Sequence, residues 1–146
     1  MEENTIESSN RKCYRILLAE DCEVNQKLVR LILHRAGYQV DVAANGQQAL
    51  EAYKQNHYDL ILMDIQMPEE PGGEVSATAG IEATRELKSF EATKHIPIVA
   101  TSAHDLPEQR NRFREAGCDD IQSKPYTDFN ELISTIERNL QGPSAS

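Results

Sequence analysis

Residues 14–37, YRILLAEDCEVNQKLVRLILHRAG, contain the pattern that decides the fold. The apolar run 14–19 predicts a buried strand, and the three- and four-residue spacing of apolar side chains over 24–36 predicts an amphipathic helix. Gly37 follows at the place where a left-handed helix end favours glycine, as Gly117 does after a later helical segment. The stretch is therefore one strand-helix repeat, with the acidic residues Glu20 and Asp21 directly after its strand.

The same repeat recurs along the chain. Further strands are predicted at 39–43, 60–63, 96–101 and 120–123. Further helices are predicted at 46–56, 81–90, 107–116 and 129–140. Apolar strands that alternate with helices predict an α/β fold, in which a doubly wound, parallel, five-stranded sheet is covered on both faces.

Composition predicts one compact domain. The chain has 146 residues and is 39% hydrophobic, which is enough for a single core without disulfides or a structural metal. Residues 1–10 and 141–146 carry no apolar period and are predicted to be flexible tails, so the domain is expected at 11–140. The net charge of -9 argues against a nucleic-acid-binding surface, which needs clustered Lys and Arg.

Cysteine usage and hydropathy indicate the cellular environment of the chain. Cys13, Cys22 and Cys118 have no metal-ligand spacing, so we expect three free thiols in a reducing, cytoplasmic environment. No apolar stretch approaches the roughly 20 residues of a membrane-spanning helix. We therefore expect no membrane contact by this module.

Polar residues follow the predicted strands. Glu20 and Asp21 follow the first, Asp64 the third, Ser102 the fourth and Lys124 the fifth. Because the carboxyl ends of parallel strands share one edge of a sheet, we expect these residues to converge. Singly, each has an ordinary structural explanation as a helix cap, a turn residue or a solvated cation.

Together, these residues suggest a phosphoryl site. Three carboxylates at one edge repel each other unless a cation neutralises them, and an all-oxygen cluster suits Mg2+. The carboxylate of Asp64 could then attack phosphorus and give an acyl phosphate. Lys124 would bind a phosphoryl oxygen, and the Ser102 hydroxyl could hydrogen-bond another.

Four stretches resemble the receiver (response-regulator) domains of two-component signalling. They are RILLAEDCEVNQ at 15–26, DLILMDIQMP at 59–68, PIVATSA at 97–103 and GCDDIQSKP at 117–125. The segments EVNQKLV, DIQMP and GIEATREL are most similar to receivers of hybrid sensor histidine kinases.

The resemblance implies a flavodoxin-like (βα)5 fold with Asp64 as the phosphoacceptor. It implies that Mg2+, or Mn2+ in its place, is held by Asp21 and Asp64, by Glu20 through water and by the backbone carbonyl of Gln66. It also implies a phosphohistidine donor on a sensor histidine kinase or a histidine phosphotransfer domain, and further domains of a hybrid kinase. Readout would use the fourth and fifth helices and the fifth strand. Such a module is a self-catalysed phosphoacceptor with autodephosphorylation, not a conventional enzyme.

The chain departs from the family pattern in three places. The segment 69–79 is longer than receivers usually carry here, and is predicted to be a disordered segment, a lid or a solvated insertion. Ile121 stands where an aromatic side chain often turns inward on activation. Cys22 stands where hybrid-kinase receivers commonly carry Asn, and Gln66 and His104 could tune the lifetime of the phosphoryl group by aligning or excluding water.

Two other functions remain open. An Asp nucleophile with Mg2+ also describes phosphatases of the haloacid dehalogenase class, although these carry a second Asp where this chain has Gln66. A pseudo-receiver that works only as a scaffold is the other alternative. The retained residues Asp21, Asp64, Ser102 and Lys124 argue against it, whereas Ile121 and the long segment 69–79 are compatible with it.

Overall fold

The computed structural model describes residues 13–64, 67–68, 75–76, 79–90, 95–102, 107–123 and 129–141. Its main sheet contains β1 (Arg15–Ala19), β2 (Gln39–Ala43), β3 (Leu60–Asp64), β6 (Ile98–Ser102) and β7 (Asp120–Ser123). The strand order is β2-β1-β3-β6-β7, and every neighbouring pair is parallel. This flavodoxin-like order confirms the predicted doubly wound sheet.

Five helices connect and cover the strands. They are α1 (Glu23–Arg35), α2 (Gly46–Gln55), α3 (Ala79–Ser89), α4 (Pro107–Ala116) and α5 (Phe129–Gln141). Each lies within two residues of its predicted bounds. The predicted helix ends at Gly37 and Gly117 are also confirmed, because both glycines have positive φ, 98° and 112°.

Alternate residues of each strand enter different layers of the core. Ile16, Leu18, Leu60 and Leu62 pack with apolar residues of α1 and α5 on one face. Their neighbours along the strands face α2 and α3, where Ala49 and Leu87 are buried. The sheet is therefore buried on both faces, as its nearly continuous apolar strands require.

Two strand boundaries differ from prediction in a way that matters for the site. β3 and β6 extend by one residue, so Asp64 and Ser102 are the last residues of their strands. β6 begins at Ile98 and not at Ile96, because Pro97 has no amide hydrogen to give to the ladder. The Pro97 carbonyl still accepts a hydrogen bond from the Ile61 amide at 3.0 Å.

Part of the long segment after β3 has regular structure. β4 (Met67–Pro68) pairs antiparallel with β5 (Val75–Ser76), so the expectation of a disordered segment is wrong for Val75 and Ser76. Residues 69–74 and 77–78 of the predicted lid lie outside the described residues. α3 then begins at Ala79, two residues before the predicted start.

The predicted domain limits stay a prediction. Residues 1–12 and 142–146 lie outside the described residues, and α5 runs through Gln141, one residue beyond the predicted end of the domain. Within the helices that the structure describes, none has both the length and the apolar character needed to cross a bilayer.

Asp120 joins the start of β7 to the end of α5. Its carboxylate accepts hydrogen bonds from Arg138 Nε and Asn139 Nδ2, both at 2.9 Å, and from the Ile121 amide at 2.8 Å. Partial burial tends to raise the pKa of Asp120, but these hydrogen bonds outweigh it and lower the pKa below its usual value.

We predict that Asp120→Asn lowers the free energy of unfolding by roughly 1 kcal/mol near neutral pH. Because the folded-state pKa lies below the unfolded value, this contribution is present above about pH 4 and is lost as pH falls through the folded pKa. Urea unfolding of both proteins between about pH 7 and pH 3 measures the difference. Glu137→Gln, an exposed change on α5, is the control. A difference that stays constant down to pH 3 would contradict the assignment.

The three thiols should differ in reactivity. All are free, Cys13 and Cys22 are exposed, and burial, reinforced by the negative charge of Asp119, raises the pKa of Cys118 to about 11. At about pH 8 we expect Cys13 and Cys22 to be alkylated at least ~10-fold faster than Cys118, because the thiolate is the reacting form. Timed alkylation followed by peptide mass spectrometry tests this, with the urea-unfolded chain as the control. Equal rates in the folded protein would show that Cys118 is accessible.

Candidate functional site

Three carboxylates meet at the carboxyl edge of the sheet. Oxygen atoms of Glu20, Asp21 and Asp64 all lie within 4.8 Å of one another. β1 and β3 are neighbours, but the chain leaves β1 through α1 to reach β2 on the other side. Such a reversal of strand order opens a crevice above the carboxyl ends of the two strands. The predicted convergence of these three side chains is thus present in the structure.

The acidic turn after β1 is held by backbone contacts. The Glu20 amide donates to the Ala43 carbonyl at 2.9 Å, which continues the β1–β2 ladder past its last residue. The Glu20 carboxylate accepts from the Cys22 amide at 3.3 Å, and Gln26 Nε2 donates to the Glu20 carbonyl at 2.6 Å. Sequence reasoning did not single out Gln26, although its place in the first turns of α1 puts it within reach of the turn.

The three carboxylates differ in their exposure to solvent. Glu20 and Asp64 are 1% and 3% exposed, whereas Asp21 is half-buried. Asp64 is the last residue of β3, and its backbone is fixed by pairing with Thr101 of β6. One buried carboxylate thus comes from a strand end and the other from the turn, and the partly open Asp21 faces the solvent side.

The donor set fits a hard divalent cation. At separations of 4.8 Å or less, two carboxylates repel by at least on the order of 3 kcal/mol at an effective dielectric constant of ~20, before other partners are counted. Two oxygens that share one Mg2+ at about 2.1 Å lie at most about 4.2 Å apart. The three side chains are therefore near the spacing that a shared ion requires, and they offer only oxygen.

Several predicted site residues lie partly or wholly outside the described residues. Lys124, Gln66 and His104 are among them, so their predicted roles remain predictions. For Ser102 only the backbone is described. It ends β6 at the same edge as Asp64, in register with Ser123 of β7.

Cys22 stands at the N-cap of α1. Its backbone is extended, with φ -86° and ψ 117°, and its side chain makes no capping hydrogen bond. By contrast, Asn45 caps α2, since its Oδ1 accepts from the Gln48 amide at 2.8 Å. The start of α1 beside the carboxylates therefore lacks the side-chain cap that stabilises α2.

Ile121 lies on the other face of the sheet from Asp64. It is half-buried and packs with Ala100 and with Phe113 and Ala116 of α4. An aliphatic side chain in this pocket has no ring to rotate between an inward and an outward position. What this means for the conformational readout stays a prediction.

The chain is similar in sequence to known proteins. The family model for the response regulator receiver domain matches residues 16–137. Hybrid signal transduction histidine kinase I of Dictyostelium discoideum is 39% identical over 86% of this chain, and the chain spans only 8% of that protein. The polar-differentiation response regulator DivK of Brucella ovis is 37% identical over 86% of this chain and 94% of its own length.

Solved structures of receiver domains are also similar to this chain. The receiver domain of a Pseudomonas aeruginosa sensor histidine kinase, determined with a magnesium ion coordinated in its active-site cleft, is 33% identical with a TM-score of 0.77. The match covers 90% of this chain and all of that one. The receiver domain of a Syntrophus aciditrophicus signal transduction histidine kinase is 28% identical, also with a TM-score of 0.77, over 92% of this chain and 95% of that one.

The sheet order, the acidic edge beside Asp64 and the extent of the sequence match lead to one conclusion. This chain belongs to the response regulator receiver domain family of two-component signal transduction.

Proposed function

We propose that this receiver domain accepts a phosphoryl group on Asp64 from a phosphohistidine in a Mg2+-dependent reaction and passes the signal to a protein partner. The observation that carries the proposal is the cluster of Glu20, Asp21 and Asp64, whose carboxylate oxygens lie within 4.8 Å of one another above β1 and β3. In this proposal Asp64 is the reactive carboxylate and also holds the cation together with Asp21, and Glu20 lies beside them.

The proposed transfer is a simple displacement at phosphorus. An oxygen of the Asp64 carboxylate forms a bond to phosphorus as the bond between phosphorus and the donor imidazole nitrogen breaks. With a proton on the other ring nitrogen of the donor, the departing nitrogen keeps the electron pair and leaves as a neutral histidine, and Asp64 carries the acyl phosphate. The strand-end position of Asp64 fixes the attacking oxygen, so most of the catalysis is positioning and charge stabilisation.

The remaining roles follow from charge and hydrogen bonding. Asp21 and Asp64 would hold Mg2+, or Mn2+, together with the Gln66 carbonyl and with Glu20 through water. The bound ion would offset the repulsion between the carboxylates and the incoming phosphoryl oxygens. Lys124 would bind one phosphoryl oxygen and Ser102 another, while Gln66, His104 and Cys22 would set how readily water hydrolyses the acyl phosphate.

A protein donor suits the surface beside the site. Val24, in the first turn of α1 next to the acidic residues, is 73% exposed, and Phe129 at the start of α5 is 47% exposed. Lys27 and Arg30 are exposed on the same helix as Val24, although the chain carries a net charge of -9. Apolar and basic side chains on one helix fit a protein surface better than a small phosphoester.

The proposed partner is a sensor histidine kinase or a histidine phosphotransfer domain, attached to this chain or separate from it. Receiver domains in general are response regulators and not conventional enzymes. Self-catalysed loss of the phosphoryl group belongs to the proposal, as does action in the cytoplasm, where three free thiols would persist.

Incubation with Mg2+ and acetyl phosphate should add one phosphoryl group to the intact mass of the protein. The adduct should be lost in hydroxylamine, as an acyl phosphate is, and should be absent from Asp64→Asn. Asp21→Asn should weaken Mg2+ binding at least ~10-fold by calorimetry, because it removes a charged ligand.

Glu51→Gln, an exposed carboxylate change on α2, is the matched control and should leave both measurements unchanged. Normal modification of Asp64→Asn would overturn the assignment of the phosphoacceptor. Failure of the wild-type protein to take up phosphate from acetyl phosphate and from a phosphorylated histidine partner would favour a scaffold without phosphorylation.

A further inference from the structure

A row of buried polar side chains crosses the sheet from Asp64 to α5. In the strand register Asp64 is opposite Thr101, and Thr101 is opposite Gln122. Opposed residues of parallel strands point to the same face of a sheet. Leu62 and Val99, two residues before Asp64 and Thr101, pack with Leu132 and Ile136 of α5, so the row enters that layer.

Thr135 of α5 completes this buried polar row. Asp64, Thr101, Gln122 and Thr135 are 3%, 1%, 4% and 3% exposed, respectively. Polar groups are uncommon in a core layer otherwise built from aliphatic side chains, because burial removes them from water. Three such residues in line with the proposed phosphoacceptor therefore need an explanation beyond packing.

Thr135 has two acceptors for one hydrogen. Its hydroxyl lies 2.7 Å from Gln122 Oε1 and 3.0 Å from the backbone carbonyl of Glu131. A hydroxyl donates only one hydrogen, so a full-strength bond can go to one acceptor at a time. Donation to Gln122 ties α5 to β7, whereas donation to Glu131 closes a bond within α5. The contact therefore has two discrete arrangements.

The side-chain amide of Gln122 contacts both Thr135 and Glu131 of α5. Its Oε1 accepts from Thr135, and its Nε2 lies 3.5 Å from the Glu131 carboxylate, in the first turn of α5. Any rotation of the Gln122 amide changes both contacts together. The first turn of α5, which also carries the exposed Phe129, thus responds to the orientation of one buried amide.

Thr101 lies between Gln122 and Asp64. Its hydroxyl is buried and makes no hydrogen bond to the part of the chain that the structure describes. An unsatisfied buried hydroxyl is unfavourable and gains when an acceptor comes within reach. Thr101 is therefore suited to respond to new acceptor oxygens in the next strand.

We propose that phosphorylation of Asp64 is transmitted to α5 through Thr101 and Gln122, with Thr135 exchanging its acceptor. This rests on the proposed function and adds the route by which the modification reaches a readout surface. The phosphoryl group brings negative charge and new acceptor oxygens next to Thr101. Reorientation of Thr101 and of the Gln122 amide would then shift Thr135 from one acceptor to the other, and α5 would follow.

The route does not need an aromatic switch. Ile121 points to the α4 side of the sheet, where it packs with Phe113, whereas Gln122 points to the α5 side. Successive residues of one strand face opposite layers. The buried polar row therefore couples the site to α5 independently of the pocket that holds Ile121.

The test is hydrogen–deuterium exchange of the α5 amides, measured in the presence of Mg2+ with and without acetyl phosphate. The phosphorylated fraction of each sample is determined from its intact mass. In the wild-type protein we expect phosphorylation to change exchange in α5 about fivefold, the lower end of ordinary coupling between sites. In Thr135→Val, which keeps the shape and removes the hydroxyl, the change should fall below about twofold at an equal phosphorylated fraction.

Thr101→Val is the second variant and should fold at least as well as the wild type, because it replaces a hydroxyl that has no partner in the described structure. It should also lose the response of α5. Thr84→Val, a buried hydroxyl change on α3, is the matched control and should keep it.

A full α5 response in both Thr135→Val and Thr101→Val, or no α5 response in phosphorylated wild type, would overturn the proposed route while leaving Asp64 as the phosphoacceptor. Absence of a phosphorylated wild-type species would overturn the proposed function and the route with it.

Discussion

The parallel pairing of β1 with β3 is the constraint on which the rest of the structure depends. It places Ile16 opposite Leu60 and Ala19 opposite Met63, all of them buried, in the middle of the sheet. The residues that follow these strands then have to share one small volume, which is why the carboxylates of Glu20, Asp21 and Asp64 meet. Apolar packing thus holds together charges that would otherwise move apart.

The opposite edge of the sheet is built for stability. The Arg15 amide donates to Asp59 at 2.9 Å, and the Arg15 side chain pairs with Asp41 at 2.8 Å. The hydroxyl of buried Tyr58 also donates to Asp41, at 2.7 Å. The charges of Arg15 and Asp41 therefore balance each other at this edge. At the carboxyl edge, by contrast, three carboxylates lie close together, and a cation could neutralise them. A rigid sheet beneath a cluster of like charges is consistent with the proposed site for Mg2+ and phosphate.

The two faces of the sheet have different characters near the site. Towards α4, Ile121 packs in an apolar pocket with Ala100 and Phe113. Towards α5, the buried polar row ends in the hydrogen bond between Gln122 and Thr135. The Ile121 side chain has no hydrogen-bond partner to exchange, whereas a hydrogen bond with two alternative acceptors has two discrete arrangements. For this reason the proposed response to phosphorylation of Asp64 is assigned to α5 and not to α4.

The sequence by itself determined the five strands and five helices, since their apolar periods and the glycines at 37 and 117 are local signals. It also identified the carboxylates, because a residue directly after a parallel strand lies at the carboxyl edge wherever that strand sits in the sheet. Only the tertiary structure decided the strand order, the ladder between β4 and β5, the contact of Gln26 with Glu20 and the row from Asp64 through Thr101 and Gln122 to Thr135. These features depend on the register between strands distant in the chain, and register is fixed by the packing of the whole core and not by any local pattern.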